Sequence, residues 1–271
     1  MNMDAIPIWV LIAATIVIVM IAAEGGYWLG QRAQRRAHRD TVPPVSSIVG
    51  SSLGLLAFML AFTFSIVASR YDSRRALVRD EANLIRTVWL RSDFLPEPDR
   101  GETAALIRGY LDDRVTAAES RDPNTVNQAL KESIRIQHRI WDIAVSNGRQ
   151  EMNSPIAALY LTSLNQMIDM HALRVTIGLD ARIPIAIWLA LYALIILGMI
   201  SVGYQTVIAE ATGRSRAPLI LALSFSVVIA LITSLDRPMS GFMTISQQPL
   251  KNIRTWIDSG AKAGPNLGDK R

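Results

Sequence analysis

The most informative part of the chain runs from Val45 to Leu90 and reads VSSIVGSSLGLLAFMLAFTFSIVASRYDSRRALVRDEANLIRTVWL. Its first part, up to Ser69, is 25 residues long and carries no charge, whereas a helix needs about 20 apolar residues to cross the hydrocarbon of a bilayer. The remainder is charged, but it has no glycine or proline and its apolar residues recur at helical spacing. The stretch therefore predicts one helix that crosses a membrane and continues in water to about Phe94.

Three further uncharged runs predict additional spans. They cover Ala5–Ala23, Ile183–Ala209 and Ala217–Leu235, of 19, 27 and 19 residues. The chain has 271 residues, of which 50% are hydrophobic and only 19% are charged. This pattern indicates an all-α integral membrane protein with four transmembrane helices.

A soluble domain of four amphipathic helices is predicted between the second and third spans. Its first helix continues the second span, and its second helix follows Pro98. Asp122-Pro123 and Ser154-Pro155 each combine an N-cap residue with a proline suited to a first helical turn, so they predict two further helix starts. Asn147-Gly148 is expected to end the third of these helices.

The predicted organisation has four parts. Residues 1–68 form the first two transmembrane helices and a basic linker, and residues 69–182 form the helical domain. Residues 183–235 form the third and fourth transmembrane helices. Residues 236–271 contain Pro238, Gly241 and Pro249, which predicts an extended tail.

The distribution of charge leaves the orientation open. The net charge is +5, but residues 69–182 hold 16 basic and 16 acidic residues and are neutral. Four arginines follow the first span, and two lie between the third and fourth spans. The opposite side has ten basic residues near the membrane, although long loops count for less in the positive-inside rule. No dense basic stripe indicates nucleic-acid binding.

Few residues suggest chemistry. The chain has no cysteine, and His38, His138 and His171 lack metal-ligand spacing, so neither a metal nor a cofactor is predicted. Gly50–Gly54 matches the G-x-S-x-G pattern of hydrolases, but it lies within a span rather than in a strand-turn-helix unit. The same residues form G-x-x-x-G, which permits close helix approach in lipid. No catalytic residue, and hence no enzyme, is predicted.

The acidic residues of interest fall into two groups, one within a span and one on amphipathic helices. Glu24 lies near the end of the first span, where a carboxylate is a functional candidate unless it reaches water at the interface. The pairs Asp80-Glu81 and Asp112-Asp113 lie on amphipathic helices and are predicted to be solvated, with ion pairs.

One face of the second span is a candidate pore lining. Gly54, Phe58, Phe62 and Ile66 recur every four residues, which brings them to one side of a helix. In a symmetric oligomer, such a face would form stacked apolar rings, and constrictions of this kind gate ions by dewetting. The alternative is that the phenylalanines face lipid or pack against other helices.

Two segments resemble bestrophins. Phe64–Arg75 (FSIVASRYDSRR) is similar to the segment that leaves the second membrane helix of bacterial bestrophins. Leu235–Gly241 (LDRPMSG), followed by Gln248–Leu250 (QPL), resembles a stretch after their fourth span. The order of parts also agrees, and the chain resembles the bestrophin-like family of bacterial membrane proteins. The aromatic pair of that first motif and the calcium-binding acidic cluster of animal bestrophins are absent, so no calcium switch is implied.

This resemblance implies a pentameric ion channel in the bacterial inner membrane, with the helical domain in the cytoplasm and an inorganic ion as the permeant species. It implies a neck at Gly54, Phe58, Phe62 and Ile66. It also implies an inner vestibule shaped by Arg70, Tyr71, Asp72 and Arg74, and a motif after the fourth span at Asp236, Pro238 and Gly241. A non-conducting membrane scaffold or sensor, whose helical domain binds a partner, remains the alternative.

Overall fold

The computed structural model describes residues 7–36, 46–120, 122–150, 154–179, 182–208, 217–237 and 243–260. All regular secondary structure in these ranges is α-helical. The helices are α1 (Ile8–Arg36), α2 (Ser46–Ser92), α3 (Asp99–Glu119), α4 (Pro123–Gln150), α5 (Pro155–Leu179), α6 (Ile185–Ile208), α7 (Ala217–Asp236) and α8 (Gln248–Asp258). Four of them, α1, α2, α6 and α7, are long and apolar enough to cross a membrane. The predicted all-α fold with four spans is therefore confirmed.

Helix α2 is unbroken over its 47 residues, which confirms the prediction that the second span continues as a helix. At 1.5 Å per residue it is about 70 Å long, far more than the hydrocarbon thickness of a bilayer. No proline occurs within it, and its ends coincide with breakers, because Pro44 precedes it and Pro96 follows it.

The predicted start of α4 is confirmed in detail. Its first residue is Pro123, and the Asp122 carboxylate accepts hydrogen bonds from the backbone N–H groups of Asn124 and Thr125 at 3.2 and 3.0 Å. These bonds satisfy donors that have no partner within the helix. The predicted end at Asn147-Gly148 is wrong, since α4 continues to Gln150. A single glycine weakens a helix without necessarily ending it.

The tail is not wholly extended, because it contains helix α8. Pro249 occupies the first turn of this helix, where a proline has no backbone hydrogen bond to lose. Leu250, Ile253, Trp256 and Ile257 are spaced to form one apolar face, and all four are buried. The glycine and prolines of the tail predict an extended segment, whereas the spacing of these four apolar residues is typical of a helix.

One compact unit comprises Asp72–Ala181 and Thr244–Arg271. Its core combines the second part of α2 with α3, α4, α5 and α8, and its largest fully buried side chains are Ile85, Ile107, Tyr110, Leu111, Ile140, Leu164 and Met167. Ion pairs on the surface link α8 to α3, between Arg254 and Asp112 at 2.8 Å and between Lys251 and Glu119 at 2.6 Å. Since these pairs are exposed, the apolar face of α8 contributes most of its attachment.

The other unit comprises Met1–Tyr71 and Arg182–Met243 and contains the four candidate spans. Here α1 and α6 run parallel, as the first and third spans of a membrane protein must. Thr15 and Tyr192 share a hydrogen bond at 2.9 Å between their hydroxyl groups. Further along both helices, Gly30 of α1 lies against Tyr204 of α6.

Glycines allow the backbones of α1 and α6 to touch. A Cβ atom added to Gly26 would overlap the carbonyl group of Ile200, and one added to Gly203 would overlap the carbonyl oxygen of Ala23. Small residues of this kind let helices approach closely where lipid provides no hydrophobic driving force. Gly50 and Gly54 have no atom within 4 Å of such a Cβ, so the close approach within the chain occurs at α1 rather than at the G-x-x-x-G of α2.

We expect Gly26→Val to destabilise the four-span unit, because the new side chain forces α1 away from α6. The loss should be about 2 kcal/mol or more, typical of overpacking in a close-packed interior. It can be measured as the fall in thermal unfolding midpoint of the detergent-solubilised protein. Gly25→Val is the matched control, since a Cβ at Gly25 meets nothing within 4 Å. Equal falls in the unfolding midpoint of the two variants would contradict a close approach of α1 and α6 at Gly26.

Candidate functional site

The membrane part of α2 has one buried and one exposed face within the chain. Leu56, Leu60 and Val67 are buried against the other spans. Gly54, Phe58 and Phe62 lie on the exposed face, where 64% of Phe58 and 54% of Phe62 is accessible. The two phenyl rings are stacked with their centroids 6.4 Å apart. The structure thus brings these three neck candidates together on one apolar surface.

Ile66 occupies a different position around the helix. Steps of four residues advance about 40° further than a full turn, so Ile66 lies about 120° around the axis from Gly54. It is half-buried, whereas Ser65 and Ser69 are exposed. Ser65 lies only about 20° from the line of Gly54, and Ser69 about 20° from that of Phe58. The exposed face therefore continues from the phenylalanines to hydroxyl side chains that the four-residue spacing did not single out.

The four vestibule candidates do not share one exposed surface. Arg70 and Tyr71 are half-buried, and Tyr71 packs against the core of the four-span unit. In the helical unit, Asp72 is exposed, while Arg74 is only 4% exposed.

The remaining candidates have different surroundings. Glu24 is exposed on α1. Asp236, at the end of α7, is buried, and its carboxylate accepts the backbone N–H of Ile183 at 3.2 Å. Its carbonyl oxygen accepts a hydrogen bond from Arg182 at 2.7 Å. Asp236 therefore joins the end of α7 to the segment before α6. Pro238 and Gly241 lie outside the described residues.

A buried charged cluster in the helical unit was not predicted. Glu81 of α2 is 0% exposed and forms ion pairs with two arginines from neighbouring helices. Arg114 of α3 donates from Nε to Glu81 Oε1 at 2.7 Å, and Arg174 of α5 pairs with the other carboxylate oxygen. Two guanidinium groups thus face a single carboxylate, which leaves the cluster with a net positive charge at neutral pH.

Neutral groups extend the cluster. The Tyr110 hydroxyl donates to Glu81 at 3.3 Å, and it accepts a hydrogen bond from Gln137 Nε2 at 3.3 Å. His171 Nδ1 lies 3.2 Å from the same hydroxyl. Because the only tyrosine proton is directed to Glu81, this nitrogen must donate to the tyrosine oxygen. Arg174 also donates to the side-chain oxygen of Gln247 at 3.1 Å, which ties the segment before α8 to α5.

Burial determines the charge state of the cluster. It lowers the pKa of His171 to about 4, and the nearby Arg114 guanidinium acts in the same direction. The imidazole is therefore neutral at neutral pH. Burial also lowers the pKa of Arg174 to about 10, which still leaves this side chain protonated. The carboxylate of Glu81 therefore interacts with two full positive charges.

The prediction that Glu81 is solvated is wrong, and its sequence position explains why. Glu81 is in helical register with the buried Val78 and Ile85, so it occupies a core position on α2. Arg114 likewise follows Tyr110 and Leu111 on α3, and Arg174 follows Met167 and His171 on α5. Charged residues at core positions of three different helices were the signal of a buried ion-pair cluster. Asp80, the neighbour of Glu81, is exposed as predicted.

No cluster of histidine, aspartate and glutamate residues suited to a metal ion occurs in the described part of the chain. The histidine in the buried cluster instead serves as a hydrogen-bond partner of Tyr110. The arrangement consequently suits the locking of helices against one another.

We expect Glu81→Gln to lower the free energy of unfolding of the helical unit by about 3 to 5 kcal/mol, because it leaves two buried arginines without a counter-charge. Unfolding of the detergent-solubilised protein, followed by circular dichroism, measures this loss. Asp80→Asn is the control, and this exposed substitution should change stability by less than about 0.5 kcal/mol. If the two variants were equally stable, the ion pairs would contribute nothing.

Known proteins share this fold. A mutant of a bacterial bestrophin homologue from Klebsiella pneumoniae is similar with a TM-score of 0.67 and 12% identity, over 94% of this chain and 99% of the other. A second mutant of that homologue has a TM-score of 0.64 and 14% identity, over 93% and 98% of the two chains. A substituted form of a protein described only as a membrane protein reaches 0.69 at 13% identity, over 95% and 99%.

Identities this low show the fold alone, and none of the curated proteins matches the chain. The comparison with protein families shows more than the fold, because the Bestrophin-like domain matches residues 17–250 of this chain. This range includes most of α1, the other three candidate spans, residues 72–181 of the helical unit and the start of α8. The chain therefore belongs to the Bestrophin-like family.

Proposed function

We propose that the protein is an oligomeric ion channel whose α2 helices line the pore, with Gly54, Phe58 and Phe62 forming a hydrophobic neck. The observation that carries this proposal is the exposed, stacked pair of phenylalanines on the membrane part of α2. Membership of the Bestrophin-like family and the similarity to a bacterial bestrophin homologue support a channel.

The composition of this face favours a water-filled path over a lipid contact. Ser51, Ser65 and Ser69 are exposed on the same side of α2 as Phe58. Their hydroxyl groups make this face more polar than a purely aliphatic one, and Ser51 also donates to the backbone carbonyl of Ser47 at 2.9 Å. In contrast, the exposed face of α1 presents large apolar side chains such as Val17 and Ile21.

The neck supplies a barrier rather than selectivity. Between Ser46 and Ser69 no residue of α2 is charged, so this surface attracts neither anions nor cations. A ring of phenylalanine side chains excludes water when it is narrow and conducts when it widens. Gating would then consist of a change in the separation of neighbouring α2 helices.

A single chain cannot enclose this pore, because Phe58 and Phe62 belong to one helix and lie on its outer surface. Several copies must surround a common axis for the rings to close. Five copies are proposed from the resemblance to bestrophins. From the same resemblance we propose a location in the bacterial inner membrane, with the helical domain in the cytoplasm.

We expect the double variant Phe58→Ala, Phe62→Ala to raise basal conductance in reconstituted bilayers at least severalfold, because it widens the apolar constriction. Phe64→Ala is the matched control. Phe64 is also exposed on α2, but it lies about 120° around the helix from Phe58, so its removal should leave the current unchanged.

Both variants should assemble as the wild type does, which size-exclusion chromatography with light scattering checks. Normal assembly with wild-type current in the double variant would contradict the neck. If the wild type and the double variant both fail to conduct under every ion and pH tested, the non-conducting scaffold becomes the better explanation.

The proposed orientation predicts a labelling pattern. In a chain whose only cysteine is introduced at Ser146, an impermeant maleimide should react only after the cells are permeabilised, because this exposed residue belongs to the helical domain. A cysteine at Gln34, exposed near the end of α1, should react in intact cells. The reverse pattern would place the helical domain outside.

A further inference from the structure

We propose that the end of α1 binds the phosphate headgroup of an anionic phospholipid through Arg32, Arg35 and Arg36, next to Trp28. This proposal does not depend on ion conduction. It rests on the membrane depth, the exposure and the uncompensated charge of these residues.

Two exposed tryptophans locate the boundaries of the membrane along α1. Trp9 is 69% exposed and Trp28 is 58% exposed. They are 19 residues apart, which corresponds to about 28 Å of helix. The hydrocarbon of a bilayer is about 30 Å thick, and tryptophan is enriched at both of its interfaces. Trp28 therefore lies at the level where hydrocarbon gives way to headgroups.

The arginines continue the face of α1 that meets lipid. Ile21 and Trp28 are exposed and seven residues apart, and Arg32 and Arg35 follow Trp28 by four and seven residues. These spacings bring all four to one side of the helix. Along this exposed face, an aliphatic residue is followed by an aromatic residue and then by guanidinium groups.

The depth of the arginines matches that of phosphate groups. Arg32 begins about 6 Å beyond Trp28 along the helix, and Arg36 about 12 Å beyond it. Headgroup regions occupy the several ångströms outside the hydrocarbon, and long arginine side chains reach along the helix toward them. The guanidinium carbon of Arg32 lies 5.4 Å from the centre of the Trp28 ring. This cation–π contact holds Arg32 beside the interface.

The positive charge at this end of α1 is not compensated within the described part of the chain. No carboxylate there forms an ion pair with Arg32, Arg35 or Arg36. Glu24, the only acidic residue of α1, is eight residues from Arg32, about 12 Å along the helix. Among the described residues, these three exposed guanidinium groups therefore leave a local excess of positive charge, which favours an anionic ligand.

An anionic phospholipid fits these properties best. Guanidinium groups bind phosphate oxygens in a bidentate fashion. A net negative headgroup is attracted more strongly than a zwitterionic one, in which a cationic group opposes the arginines. The acyl chains of the lipid would lie along the apolar residues before Trp28, which a soluble phosphate cannot do.

The test is native mass spectrometry of the intact, detergent-solubilised protein titrated with phosphatidylglycerol or phosphatidylcholine. We expect the wild type to bind phosphatidylglycerol more tightly. The variant Arg32→Gln, Arg35→Gln, Arg36→Gln should lose roughly tenfold or more of that affinity, with little change for phosphatidylcholine. A second variant with lysine at the three positions should keep the preference, since it retains the charge.

The matched control replaces Arg100, Arg135 and Arg139 by glutamine. It removes the same charge from exposed sites on the helical domain and should bind phosphatidylglycerol as the wild type does. The proposal is overturned if the first variant retains wild-type affinity, if the wild type does not discriminate between the two lipids, or if the control loses as much affinity. Displacement of the lipid by millimolar inorganic phosphate would show a soluble-anion site instead, and would also overturn it.

Discussion

The fold depends on one constraint, which is that the hydrocarbon of a bilayer supplies no hydrogen-bond partners for backbone N–H and C=O groups. Each candidate span is an α-helix because only intrahelical bonds satisfy these groups across the hydrocarbon. Helix α2 continues past its apolar part into its charged part, because no breaker interrupts its sequence before Pro96. One continuous helix therefore contributes residues to both compact units.

The two units are held together internally by different forces. In the four-span unit, α1 and α6 meet backbone to backbone through Gly26 and Gly203, because surrounding lipid removes the hydrophobic advantage of burying large side chains. In the helical unit, an apolar core surrounds the charged cluster of Glu81, Arg114 and Arg174. An apolar replacement of similar volume could stabilise that unit equally well. Each of the three residues comes from a different helix, so the ion pairs join α2, α3 and α5.

The electrostatic character of α2 changes along its length in a way that suits the proposed function. Its exposed membrane face has phenylalanines and serines and no charged side chain, so in the proposed channel an ion at this face would meet a barrier set by dehydration. Its continuation holds a carboxylate at a buried position between two arginines. That cluster fixes the part of α2 in the helical unit, whereas the exposed phenylalanines have no partner from the described residues of the same chain apart from each other. In the proposed oligomer, the corresponding phenylalanines of the other copies would complete the ring around the axis.

Much of the fold could be predicted from the sequence because its signals are local. Runs without charge specify the spans, Asp122-Pro123 specifies the start of α4, and the lack of breakers specifies the continuity of α2. The spacing of four residues also predicts that Phe58 and Phe62 lie on one face of α2. The prediction of an extended tail is wrong for α8. It treats Pro249 as a helix breaker, but a proline in the first turn is compatible with a helix.

Local patterns thus specify the helices and their amphipathic faces. Which of these faces meet depends on packing between distant parts of the chain. The G-x-x-x-G pattern of α2 has no neighbour within the chain, whereas Gly26 and Gly203 do, because the pattern shows where a backbone is accessible but not which helix lies beside it. Glu81 is buried rather than solvated for the same reason. Its environment depends on arginines 33 and 93 residues away in sequence, and pairings over such distances are determined by packing rather than by local spacing.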